Sequence, residues 1–85
     1  MEEQKIGVVV KFFTKPSVAA IELTDGLLKV GDTIHIHGHS TDFQQRVDSM
    51  QIEHTVIQTA DKGASIGIKV KDRVREHDVV YLVRP

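Results

Sequence analysis

Residues 26–38 read Gly26-Leu27-Leu28-Lys29-Val30-Gly31-Asp32-Thr33-Ile34-His35-Ile36-His37-Gly38. The pattern places a glycine turn after one strand, packs Leu27, Leu28 and Val30 into a tight connection, and restarts at Gly31-Asp32 into alternation. In that alternation Ile34 and Ile36 point inward, and His35 and His37 outward. Such a stretch builds a corner of a β-structure; it carries no catalytic motif.

On either side of this corner the chain keeps to short β-type runs. Lys5 to Phe13 is β-branched and aromatic without helical periodicity. Its apolar residues occupy both parities, Ile6, Val8, Val10 and Phe12 on one face and Val9 and Phe13 on the other, so the strand is expected either to sit between layers or to face a partner. Thr14-Lys15-Pro16-Ser17 is turn chemistry, and Val18 to Leu23 returns with Ala19, Ile21 and Leu23 on one side. Thr33 to His37 is the third strand, followed by a polar loop over residues 38–42. The parity of a long strand from Phe43 to Val56 breaks, and a bulge near Asp48-Ser49 reconciles it. Residues 58–63 read as a loop, Ala64 to Val70 as a strand, Lys71 to His77 as a charged connection with room for a helical turn, and Val79 to Val83 as the last strand.

The fold class expected is therefore all-β: one domain over residues 1–85, a small closed antiparallel barrel of six or seven strands, with residues 1–4 as a flexible lead-in. Closure removes sheet edges that would otherwise invite aggregation. The 40% hydrophobic content suffices for one core. There is no cysteine, which excludes disulfide staples, thiolate metal sites and a cysteine nucleophile. The acidic, polar start and the lack of any apolar run near the roughly 20 residues that span a bilayer point to a soluble, cytoplasmic protein without a membrane partner.

Eleven basic and twelve acidic residues give a net charge of −1. Tight, sequence-blind nucleic-acid binding draws on an excess of Lys and Arg, which this chain lacks, so any RNA contact is expected to be weak and local.

A second signature lies at Met50–Val70, where Ala60, Gly63, Ile66, Gly67 and Ile68 fit an Ala-x-x-Gly-x-x-Ile-Gly-Ile run. Gly63 suits a turn with positive φ, and Gly67 a kink or a close backbone approach within a strand. The two signatures, in this order and spanning almost the whole chain, resemble domain 2 of translational GTPases such as elongation factor Tu. The runs Met50 to His54 and Arg73 to Tyr81 are most similar to elongation-factor-like proteins and to the C-terminal barrel of collagenase-like peptidases. In family members that hold aminoacyl-tRNA, the resemblance implies contacts at three positions, here Gln51, His54 and Ser65. The family has an acidic residue, an arginine and an asparagine there, so all three depart from its pattern.

Beyond the resemblance, candidate residues fall into three groups. Lys11, Phe13 and Lys15 put an aromatic between two lysines beside a turn, a pattern able to stack a base or dock a protein, although Phe13 equally suits a cap on the barrel end. Lys69, Lys71, Arg73 and Arg75 alternate in a phosphate-binding manner, interleaved with Asp72, Glu76 and Asp78, so a self-neutralised solvated edge is the competing reading. His35, His37 and His39 are spaced for a shared metal ion, but the preferred reading is the solvent side of a strand with Ile34 and Ile36 inside, since no supporting carboxylate is evident from the spacing. No phosphate-cradling glycine loop or nucleophile elbow is present, so neither an enzyme, a nucleotide partner nor a cofactor is expected.

The leading expectation is a stand-alone, non-catalytic binding module acting through a protein or ribonucleoprotein partner linked to translation. An accessory domain of a peptidase or RNA-modifying enzyme carried on a separate chain is the alternative, and a small metal-binding protein built on His35, His37 and His39 is another. The second apolar face of the first strand also leaves room for a homo-oligomer.

Overall fold

A computed structural model describes residues 2–84. Among them run ten strands: β1 (Glu2–Phe13), β2 (Val18–Leu23), β3 (Leu28–Lys29), β4 (Thr33–His37), β5 (Asp42–Arg46), β6 (Met50–Ile52), β7 (Thr55–Ile57), β8 (Thr59–Ala60), β9 (Ser65–Lys69) and β10 (Val79–Arg84). Eight form one antiparallel sheet in the order β5-β4-β10-β1-β2-β9-β6-β7, and β3 pairs with β8 in a small ribbon. The all-β class is thus as read from the sequence, but the closed barrel of six or seven strands is not: β5 and β7 end the sheet without pairing to each other.

The inner face is a single apolar core. Ile6, Val9, Ile21, Leu23, Leu28, Ile34, Ile36, Val47, Met50, Ile68 and Val80 are buried in it. Alternation explains β2 and β4, where Ala19, Ile21, Leu23, Ile34 and Ile36 all face inward.

The β1 strand departs from the expected faces. Its register slips between Lys5 and Gly7 against β10, and again between Val9 and Lys11 against β2. An extra residue at such a bulge exchanges the faces, so Ile6 and Val9 are both buried although three apart, and Val10 and Phe13 are exposed. Glu2, Glu3 and Gln4, expected as a flexible lead-in, pair with Arg84, Val83 and Leu82; Met1 lies outside the described residues.

The segment 43–56 is not one bulged strand. Its break in parity marks a crossing from one end of the sheet to the other. The β5 strand pairs with β4, the chain traverses Val47-Asp48-Ser49, and β6 and β7 then form a hairpin at the far end. Two residues, Glu53 and His54, make its turn, with φ of 49° and 66°. Both occupy the left-handed region that a two-residue hairpin turn needs and that glycine or asparagine normally fills, which is why sequence chemistry does not announce this turn.

At the corner, Leu28 is fully buried but Leu27 is 48% exposed, contrary to its expected packing. Gly26 and Gly31 turn at φ of 74° and 101°, and the Asp32 carboxylate accepts a hydrogen bond from the Lys29 amide at 2.9 Å. The connection 71–77 contains turns but no helix. Val74, 1% exposed, anchors it in the core, while the His77 amide donates to the Val9 carbonyl at 2.8 Å.

Candidate functional site

Partners across the sheet fix what its outer face presents. Successive registers align Lys11, Ala20, Gly67, Gln51 and Val56 in one row across β1, β2, β9, β6 and β7. Residues aligned in register share a face. The next row begins with Phe13 and Val18, and on the other side lie Glu22 and Ser65. Small residues at the centre of the row, Ala20 and Gly67, leave a trough of about 440 Å³. Phe13, Pro16 and Val18 form one wall, and Gln51, Glu53, His54 and Ser65 supply the polar rim.

Gly67 keeps the trough open: a Cβ there would lie 3.3 Å from Val18 Cγ1, tighter than an ordinary contact, so Val18 would have to give way. Holding Glu53 and His54 at positive φ costs backbone energy of order 1 kcal/mol or more each, and the side chains so held stand on the rim. Phe13, 43% exposed, has the Lys11 ammonium 5.1 Å from its ring centroid, a cation–π contact that covers one face of the ring.

The candidate residues read from the sequence are therefore sorted by the structure. Phe13, Gln51, His54 and Ser65 gather on the trough. Lys11, Arg73 and Arg75 line a separate gap beside the far end of β1. Lys69 and Lys71 line a third depression with Gln45 and Arg46, so the four alternating cations do not act as one stripe. Lys15 is exposed in the β1–β2 turn and lines none of these hollows. Sequence reasoning missed Pro16, Val18, Ala20 and Glu53, because a trough assembled from four strands leaves no local signal at its floor.

The histidines have another use. His35 Nδ1 lies 2.8 Å from Glu3 Oε1 and its Nε2 2.5 Å from Asp42 Oδ1. Both carboxylates raise the His35 pKa above the ordinary histidine value, the Glu3 hydrogen bond most strongly, and the hydrogen bond between His35 and Asp42 lowers that of Asp42. His37 stands edge-on to His35 at 5.8 Å and His39 is exposed. With both ring nitrogens of His35 engaged by carboxylates, His35, His37 and His39 do not converge, and among the described residues no three His, Cys, Asp or Glu side chains are placed to hold a metal ion.

No family model matches the chain. Curated relatives do. The chain is 48% identical over 81 residues to an uncharacterized protease of Methanocaldococcus jannaschii, a match covering 94% of the chain and 20% of that protein. It is 36% identical over 77 residues to a collagenase of Porphyromonas gingivalis, covering 89% of the chain and 21% of the relative. The chain thus spans about one fifth of the length of the curated relatives it matches. Among solved structures, the C-terminal domain of a Geobacillus thermoleovorans protein described as a U32 peptidase superposes with a TM-score of 0.87 at 15% identity, covering 95% of this chain and 93% of that one. GDP-bound aIF5B from Aeropyrum pernix follows at 0.67 and 16%, covering 98% of the chain and 14% of aIF5B. At these identities the structural likenesses are likenesses of fold. The resemblance to collagenase-like peptidases therefore extends to sequence, whereas that to translational GTPases rests on architecture. No helix among the described residues is long and apolar enough to cross a membrane.

Proposed function

We propose that this chain is a non-catalytic accessory domain that works with a peptidase-type catalytic unit, and that the outer-face trough is its contact surface for a polypeptide. The supporting observation is sequence identity of 48% and 36%, over nearly the whole chain, to about one fifth of a protease and of a collagenase. A trough with an apolar floor and wall and a few polar rim groups suits a docking role: apolar area supplies attraction, and Gln51, Glu53, His54 and Ser65 set orientation.

A second reading, a translation-linked binding module, is favoured by the gathering of Gln51, His54 and Ser65 on one trough. Affinity purification from native lysate, with and without RNase, separates the two. The first reading expects one dominant peptidase-type enzyme, retained after RNase and lost when Gly67→Leu fills the trough. Ribosomal components released by RNase would replace it with the second. If Gly67→Leu changed nothing that is retained, the trough would not be the contact surface.

A further inference from the structure

We propose that the gap between the far end of β1 and the 73–76 connection binds a phosphate monoester dianion, held by Lys11, Arg73 and Arg75. The backbone creates the gap. Val9 exchanges hydrogen bonds with the connection through the Asp78 carbonyl and the His77 amide, both at 2.8 Å. Beyond that point no backbone hydrogen bond joins Lys11–Phe13 to residues 73–76 among the described residues, and a space of about 420 Å³ opens, lined by Lys11, Phe12, Thr14, Arg73, Arg75 and Glu76.

The connection is anchored at both ends and in the middle. The Val70 amide donates to the Ser17 carbonyl at 2.9 Å, and the Ser17 hydroxyl to the Val70 carbonyl at 2.7 Å. At the other end the Arg75 amide donates to the buried Asp78 carboxylate at 2.8 Å. Between them Val74 is buried, so its neighbours Arg73 and Arg75 are both exposed on the gap. Backbone fixation lowers the entropy lost when a ligand is gripped.

Charge identifies the ligand class. Among the described residues, no carboxylate lies within ion-pairing distance of Lys11, Arg73 or Arg75; the ion pairs of the molecule all involve His35. Among the side chains that line the gap, three cations and the carboxylate of Glu76 leave a surplus of two positive charges, with Asp72 and the buried Asp78 outside that lining, in a chain whose net charge is −1. A phosphate monoester, carrying about −1.5 to −2 at neutral pH, matches that surplus. A carboxylate or a phosphodiester carries one charge. Guanidinium forks also match phosphate oxygens in pairs, which a lone ammonium does not, and the Thr14 hydroxyl adds a donor at the same gap.

The test is an NMR titration of the full chain with O-phosphoserine and, separately, with dimethyl phosphate, at fixed ionic strength. Phosphoserine is expected to give saturable shifts confined to Lys11, Thr14 and residues 73–76. Arg73→Gln and Arg75→Gln should each weaken binding about tenfold, the loss of one charge-assisted contact, while Glu76→Gln tightens it. The side chains changed are exposed, and unchanged signals of the core residues Ile21 and Ile36 verify the fold. Equal binding of dimethyl phosphate would overturn the dianion assignment. Shifts that grow linearly, or that appear equally at Lys69 and Lys71, would overturn the site.

Discussion

Replacing Gln45 with alanine should open the seam of the sheet. The β5 strand is one end of the eight-stranded order, and its Gln45 side chain reaches the end of β9. Gln45 Nε2 donates to the Lys69 carbonyl at 2.9 Å, and Gln45 Oε1 accepts from the Lys71 amide at 2.8 Å. A side-chain amide has the donor and acceptor of a peptide group, so one glutamine replaces one rung of the missing backbone ladder. Each such bond contributes a net of about 0.5–1.5 kcal/mol. Both sit near the surface, where water replaces part of what is lost, so Gln45→Ala should cost about 1–2 kcal/mol. For a domain of this size each kcal/mol lowers Tm by about 4–8 °C, which places the expected fall near 5–15 °C. Thermal unfolding followed by circular dichroism reads the total, and amide hydrogen exchange at Lys71 reads the local event. Gln45→Glu serves as the control: a carboxylate still accepts from the Lys71 amide and should keep it protected, whereas alanine should not. A Tm within 1 °C of the parent, with the Lys71 amide still protected in Gln45→Ala, would refute the bridge.

Two further outcomes follow from contacts elsewhere in the sheet. The pKa of His35 is raised above 6.5 by Glu3 and Asp42, so its contribution to stability is full below pH 6.5 and is lost as pH rises through the raised value; that of Asp42, lowered by His35 from 3.8, is present above pH 3.8 and is lost as pH falls through the lowered value. Urea unfolding between pH 5.5 and 9 should therefore show the parent losing stability relative to His35→Gln, and parallel pH profiles would rule the cluster out. A Cβ at Gly38 would collide with the Asp78 carboxylate, which is buried and accepts the Arg75 amide; Gly38→Ala should cost about 1–3 kcal/mol by displacing it, and an unchanged denaturation midpoint would show that the turn has slack.

How far the fold was legible follows the range of the forces involved. The β2 and β4 strands, with Ile21, Ile34 and Ile36 inside, were readable because alternation is imposed by the geometry of each strand alone. The positive φ of Gly63 and the turn at Gly26 were readable because few other residues take that conformation cheaply. The Glu53-His54 turn was not, since its residues do not favour the conformation they adopt. Of the candidate site, the family resemblance grouped Gln51, His54 and Ser65 about one ligand, but nothing in the sequence placed Phe13 beside them. Pro16 and Ala20 on its lining carry no chemistry by which a sequence could single them out.

The sequence by itself determined that the chain folds as β-structure, where β2, β4, β5, β9 and β10 begin to within a residue, and which faces of β2 and β4 are apolar, because strand geometry and turn chemistry act over a few residues. Only the tertiary structure decided that β5 and the β6–β7 hairpin, separated by three residues, lie at opposite ends of the sheet, that Glu3 and Asp42 meet at His35, and that Gln45 bridges β5 to the end of β9. Those choices depend on which packing buries Ile6, Val47 and Val74 together, a property of the whole chain and of no segment within it.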